Sequence, residues 1–81
     1  MKVVVSDRAI ESLKHAGANV QRTFEKQLKL LEANLQHPSL RAKKYDKSHD
    51  TWQARVNRNW RFYFMIQQNT YIMLDVIPHP K

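Results

Sequence analysis

Arg55 and Arg61 are the residues whose type and spacing most directly suggest chemistry. They lie in TWQARVNRNWRFYFMI, residues 51–66, where two alternating runs flank the polar turn Asn57-Arg58-Asn59. Side chains alternate across a strand, so each run has one apolar face. Trp52, Ala54 and Val56 form it in the first run, and Trp60, Phe62, Phe64 and Ile66 in the second. Bringing both apolar sets to one side pairs Val56 with Trp60 and sets Arg55 directly opposite Arg61. Like charges opposed on a strand pair are destabilising. Stability alone gives little reason to place them there, whereas an anion-binding face does.

A basic patch interleaved with aromatics surrounds this pair: Lys43, Lys44, Arg58, Trp52, Trp60, Tyr63, Tyr71 and His79. Arginine and lysine grip phosphates, and arginine also spreads charge developing on a phosphorane. Aromatic rings stack on unpaired bases. RNA brings its own nucleophile, the 2′-hydroxyl, so a cleaving protein needs only positioning, charge stabilisation and proton transfer. His79 is a candidate for the last, because histidine exchanges protons near neutrality. Plainer readings stand beside these. Trp52 and Trp60 share the parity of the apolar sets and belong to the core. Tyr63 is either a stacking residue or an amphipathic surface residue. Lys43 and Lys44 either contact phosphate or lie on a solvated loop. His79 is either an acid–base group or an incidental terminal histidine.

Other templates find no support. One glycine leaves no Walker loop and no glycine-rich dinucleotide turn. Without cysteine there is no thiolate nucleophile, disulfide framework or thiolate zinc site. His15, His37, His49 and His79 show no metal-ligand spacing with carboxylates. No metal and no cofactor are expected.

The elements that must position the patch are legible from patterning. Lys2–Val5 is a short β-branched run and a first strand. Ser6 suits a helix N-cap and Asp7 the positive end of the helix dipole. Ala9, Ile10, Leu13 and Ala16 form a helical stripe, and Gly17 ends that helix. Val20, Phe24, Leu28, Leu31 and Leu35 predict a second amphipathic helix from about Asn19 to Gln36, stopped by His37-Pro38. Ser39–Asp50 is a basic loop with Leu40, Ala42 and Tyr45 as apolar anchors and a short strand around Ala42–Tyr45. It holds Arg41, Lys43, Lys44 and Lys47 against Asp46 and Asp50. After the hairpin, Gln67-Gln68-Asn69-Thr70 turns into a last strand, Tyr71–Ile77, with Ile72, Leu74 and Val76 as its buried set. Pairing Ile66 with Ile72 sets Asp75 opposite Tyr63, and pairing it with Thr70 sets Asp75 opposite Arg61. The reading is one α+β domain over residues 1–81: an N-terminal strand, a two-helix hairpin, then a three- to four-stranded antiparallel sheet. Its open face carries Gln53, Arg55, Arg61, Tyr63 and Asp75.

Composition agrees with that class. The chain has 81 residues, 42% of them apolar, and a net charge of +7. Residues 37–81 hold eight Lys/Arg against three Asp/Glu, so the second half carries most of the positive field. Such a field favours phosphate-rich or acidic partners. No apolar run approaches the ~20 residues needed to cross a bilayer. MKVVVSDR is not a secretory signal, and a cytoplasmic location is expected.

WQARVNRNWRFYF followed by YIMLDVIPHPK resembles the RelE/ParE toxin superfamily of bacterial toxin–antitoxin systems. The resemblance implies a cytoplasmic toxin neutralised by an antitoxin protein. RelE-like members cleave mRNA at the ribosome without a metal; ParE-like members inhibit DNA gyrase. By position, Arg55 and Arg61 match the family's strand arginines, and Lys43 and Lys44 match its basic loop loosely. His79 falls where RelE-like toxins place an Arg or His. Gln53 departs from the pattern, standing where some members carry a lysine. Only two residues follow His79, so the terminal helix and tyrosine of several members find no counterpart. On this resemblance Arg61 would stabilise the reacting phosphate, Arg55 would hold the backbone and His79 would move the proton. Arg41, Lys43, Lys44, Arg58 and Tyr63 would bind RNA. The implied partners are an antitoxin, mRNA and the ribosome, with no membrane and no small-molecule cofactor.

Overall fold

The computed structural model describes residues 1–79; Pro80 and Lys81, the end of the motif above, lie outside the described residues. Strand β1 (Lys2–Val5) runs into Ser6, whose hydroxyl accepts from the Ala9 N–H at 3.1 Å and caps helix α1 (Asp7–Ala16). The same hydroxyl donates to the Leu74 carbonyl at 3.1 Å, so the cap also ties the helix to the sheet. Gly17, at φ 94°, makes the corner that side chains avoid, and α2 (Ala18–Ala33) starts at once. The helical hairpin is as expected. Its second helix is shorter than its stripe: the Asn34 side chain accepts from the Gln36 N–H at 3.0 Å, a local bond that competes with continued helix well before Pro38. Ile10 also departs from its stripe and is exposed.

Four more strands follow: β2 (Lys43–Asp46), β3 (Thr51–Arg55), β4 (Trp60–Gln67) and β5 (Thr70–Pro78). The sheet order is β1-β5-β4-β3-β2. Neighbours are antiparallel except β1, which lies parallel to β5 from Lys2↔Thr70 to Val5↔Met73. The α+β order stands, and the sheet is five-stranded and mixed rather than a three- to four-stranded antiparallel one. A parallel neighbour needs a long crossover, and here nearly the whole chain provides it.

Both helices cover one sheet face. Phe24 meets Phe62 edge-on with centroids 5.4 Å apart, Leu31 and Leu40 are fully buried, and Trp52 stacks on Phe64 at 6.1 Å. The core-facing parity of β3 and β4 is therefore as read from the sequence. That of β5 is not. Tyr63↔Asp75 and Phe62↔Val76 follow the first expected register, but Phe64 pairs with Met73, so Leu74 is an extra residue in a β-bulge. The shift puts Tyr71, Met73 and Val76 in the core instead of Ile72, Leu74 and Val76. Gln68 and Asn69, at φ 47° and 61°, close the β4–β5 hairpin in the left-handed geometry two-residue turns require.

Candidate nucleic-acid interface

The β3–β4 turn is built by Asn57, whose side-chain oxygen accepts from the N–H groups of Asn59 (2.8 Å) and Trp60 (2.9 Å). Val56 donates to the Trp60 carbonyl at 3.0 Å, and the next pair is Arg55↔Arg61. The arginines are opposed as the parity argument required. Because hydrogen-bonded and non-bonded pairs alternate, this is a non-bonded pair, the type with the closer side chains. The Arg55 backbone points outward, past the end of β2. Its N–H donates to the Leu40 carbonyl at 2.7 Å, and its carbonyl accepts from Gln27 Nε2 at 2.8 Å. Gln27 is buried on α2 and also donates to the Ser39 carbonyl at 3.2 Å. One side chain thus fixes both Arg55 and the start of the basic loop.

Arg61 folds back over the turn, donating through Nη1 to the carbonyls of Asn57 (2.7 Å) and Trp60 (3.0 Å). Burial, the charge of Arg55 and then that of Arg41 push its guanidinium below the ordinary arginine value. Arg41 itself sits at φ 46° and shares a depression with Lys26, Ser39 and Arg55. Among the described residues no carboxylate forms an ion pair with Arg41, Arg55, Arg58 or Arg61. The result is a preformed, uncompensated positive corner.

The remaining candidates divide. His79 is exposed, and its N–H donates to the Asn59 carbonyl at 2.7 Å, which anchors it beside the arginine turn. Arg58 is exposed on that turn. Lys43 pairs with Gln53, and Gln53 with Tyr63, so all three share the open face. Gln53 is buried there and donates to the Tyr63 hydroxyl at 2.9 Å. Lys44 lies on the opposite, helix-side face: it pairs with Trp52, sits over its ring at 5.2 Å and forms an ion pair with Asp50. Tyr71 is in the core, edge-on to Phe64 at 5.7 Å, and burial pushes its phenol up. Asp75 is held at the β5 edge, accepting from Arg8 Nε at 3.1 Å and Ser12 Oγ at 2.6 Å.

Four residues around these sites escape a reading of the sequence: Gln27, Lys26, Tyr45 and Arg8. Gln27 breaks the apolar stripe of α2 between Phe24 and Leu31, which is a detectable signal for a buried polar strut. Tyr45 looks like a loop anchor, yet it lies exposed on the open face with its ring edge-on to Tyr63 at 5.0 Å. Nothing local marks Arg8 or Lys26.

No protein-family model matches the chain, and no curated protein matches it by sequence. Solved structures do match. The YoeB dimer from Staphylococcus aureus has a TM-score of 0.80 at 15% identity, covering 99% of this chain and 98% of that one. The YoeB/ParE toxin from Agrobacterium tumefaciens has a TM-score of 0.77 at 11% identity, covering 99% and 100%. A chain of the RelB–RelE antitoxin–toxin complex from Methanococcus jannaschii has a TM-score of 0.76 at 16% identity, covering 93% and 88%. The chain has the RelE-like fold.

Proposed function

We propose that this RelE-like fold serves as the toxin of a type II toxin–antitoxin pair and cleaves mRNA on the ribosome without a metal ion. One observation carries the reading: Arg55 and Arg61 are held face to face, uncompensated, beside His79. An RNA phosphodiester is a ligand that would relieve their repulsion.

In the proposed reaction the 2′-oxygen attacks the adjacent phosphorus and gives up its proton, and the 5′-oxygen leaves with one. The products are a 2′,3′-cyclic phosphate and a 5′-hydroxyl. Arg61 stabilises the charge on the phosphorane, Arg55 holds the backbone, and His79 is the proton-transfer group. Arg41, Arg58 and Lys43 extend the anionic track, and Tyr63 supports a base. Lys44, on the helix side, stays outside the reacting centre and can at most contact ribosomal RNA. A cytoplasmic location belongs with this reading.

The similarity to a toxin chain solved with its antitoxin supports an antitoxin partner. An acidic or amphipathic segment suits the basic face. The test is mRNA cleavage mapped in a translating extract. Wild type cuts, Arg61→Ala falls by about 10²-fold or more, and His79→Ala falls by about 10²-fold. Absence of cutting by wild type would refute the enzyme claim. Inhibition of gyrase supercoiling without RNA cleavage would place the protein with the gyrase poisons instead.

A further inference from the structure

The bulge at Leu74 makes a second feature beside the arginine corner. Leu74 and Asp75, with Arg8, Tyr45, Tyr63 and Ile77, line one shallow depression. Tyr63 is fixed at its hydroxyl by Gln53 and at its ring by Tyr45. Tyr45 is 61% exposed, so much of it is open to a ligand. Across the depression Asp75 orients Arg8 through Nε alone. Ser12 Oγ and the Val76 N–H hold the other carboxylate oxygen, at 2.6 and 2.9 Å, which makes Asp75 a strut. The Arg8 side chain is 82% exposed, and its terminal amino groups make no bond among the described residues.

We propose that this depression is a nucleobase site: one unpaired base stacks on Tyr45 while Arg8 reads its edge, with guanine preferred. An exposed aromatic ring takes any base by its π-face. A guanidinium held by its Nε presents two parallel N–H groups, which match O6 and N7 of guanine and no other base as well. The site lies one strand row from Arg55↔Arg61, since Tyr63↔Asp75 is two residues along β4 and β5 from Arg61↔Ile77. The inference rests on the RNA-binding reading of this face and adds base preference to it.

The test is an NMR titration of the full chain with 2′-O-methylated trinucleotides UNU, which cannot be cut, against ribose 5-phosphate. Trinucleotides are expected to shift the Tyr45 and Tyr63 ring protons, and ribose 5-phosphate to leave them in place. UGU should bind tightest. Tyr45→Ala should weaken all four by about tenfold, and Tyr45→Phe should restore them. Arg8→Ala should abolish the guanine advantage and leave the other three unchanged. Ring protons unmoved at saturating UGU, or a guanine preference that survives Arg8→Ala, would overturn the proposal. Ring shifts without mRNA cleavage would refute the nuclease reading alone; cleavage without ring shifts would refute the base site alone.

Discussion

Neutralising Arg55 should make the protein more stable and worse at binding RNA. Arg55 and Arg61 are a non-bonded cross-strand pair, with Cβ atoms about 5 Å apart in such geometry. Guanidinium charges ~6 Å apart repel by ~0.7 kcal/mol in water and by ~2.8 kcal/mol at an effective dielectric of 20. Both side chains are partly exposed, so the lower half of that range applies, about 1 kcal/mol. Arg55→Gln removes the repulsion without disturbing the Leu40 and Gln27 bonds, which use only the Arg55 backbone. For a domain of this size the gain corresponds to a Tm rise of about 4–8 °C. The assay is thermal unfolding at low ionic strength and again at ~0.5 M salt, where screening over a few Å should remove most of the difference. Arg58→Gln is the control: it makes the same change in net charge on the exposed turn, with no arginine paired opposite. A lower Tm for Arg55→Gln would refute the reasoning, as would an equal gain from Arg58→Gln.

Gln27→Leu should destabilise by about 1–2 kcal/mol, because it removes the donor to the part-buried carbonyls of Ser39 and Arg55. RNA affinity should fall beyond what unfolding explains, measured on the folded fraction at low temperature. Asp46 should titrate at about pH 2, held down first by the Ser48 hydroxyl and then by His49. Its folded value lies below its unfolded one, so its contribution is complete above about pH 4 and fades as pH falls toward 2. Carboxyl carbon NMR checks this, and Ser48→Ala should move the midpoint up toward 3.8.

The hairpin was legible because its signal is local and redundant. Alternation fixes which residues share a face, the turn length fixes the register, and together they place Arg55 against Arg61 without any knowledge of the rest. The last strand shows the limit of that logic. Alternation cannot see a bulge: the extra residue at Leu74 reverses the parity of Tyr71 and Met73 and pairs Met73 with Phe64. Lys43 and Lys44 show the same limit from the other side. In sequence they are one basic dipeptide; on a strand they are separated by the thickness of the sheet, and only one faces the arginines. Arg8 was out of reach altogether, since its place depends on α1 crossing the end of β5 and meeting Asp75.

The irregular features of the fold cluster at the proposed sites, and each has a physical reason to be there. A regular sheet offers side chains at fixed spacing and no concavity. The bulge at Leu74 breaks that spacing and opens a depression beside Tyr63. The late start of β2 leaves the Arg55 backbone without a strand partner on that side, which would be costly without the Leu40 carbonyl and the Gln27 amide. A loop carbonyl and a buried side chain satisfy the arginine backbone in place of a sheet neighbour and keep the space beside it free of another strand. That space is where Arg41 and Lys26 converge. A fold selected for stability alone would extend β2, remove the bulge and separate the arginines. All three departures act in the same direction, toward a rigid positive surface with a gap in it, which is what binding a flexible polyanion requires of the protein side.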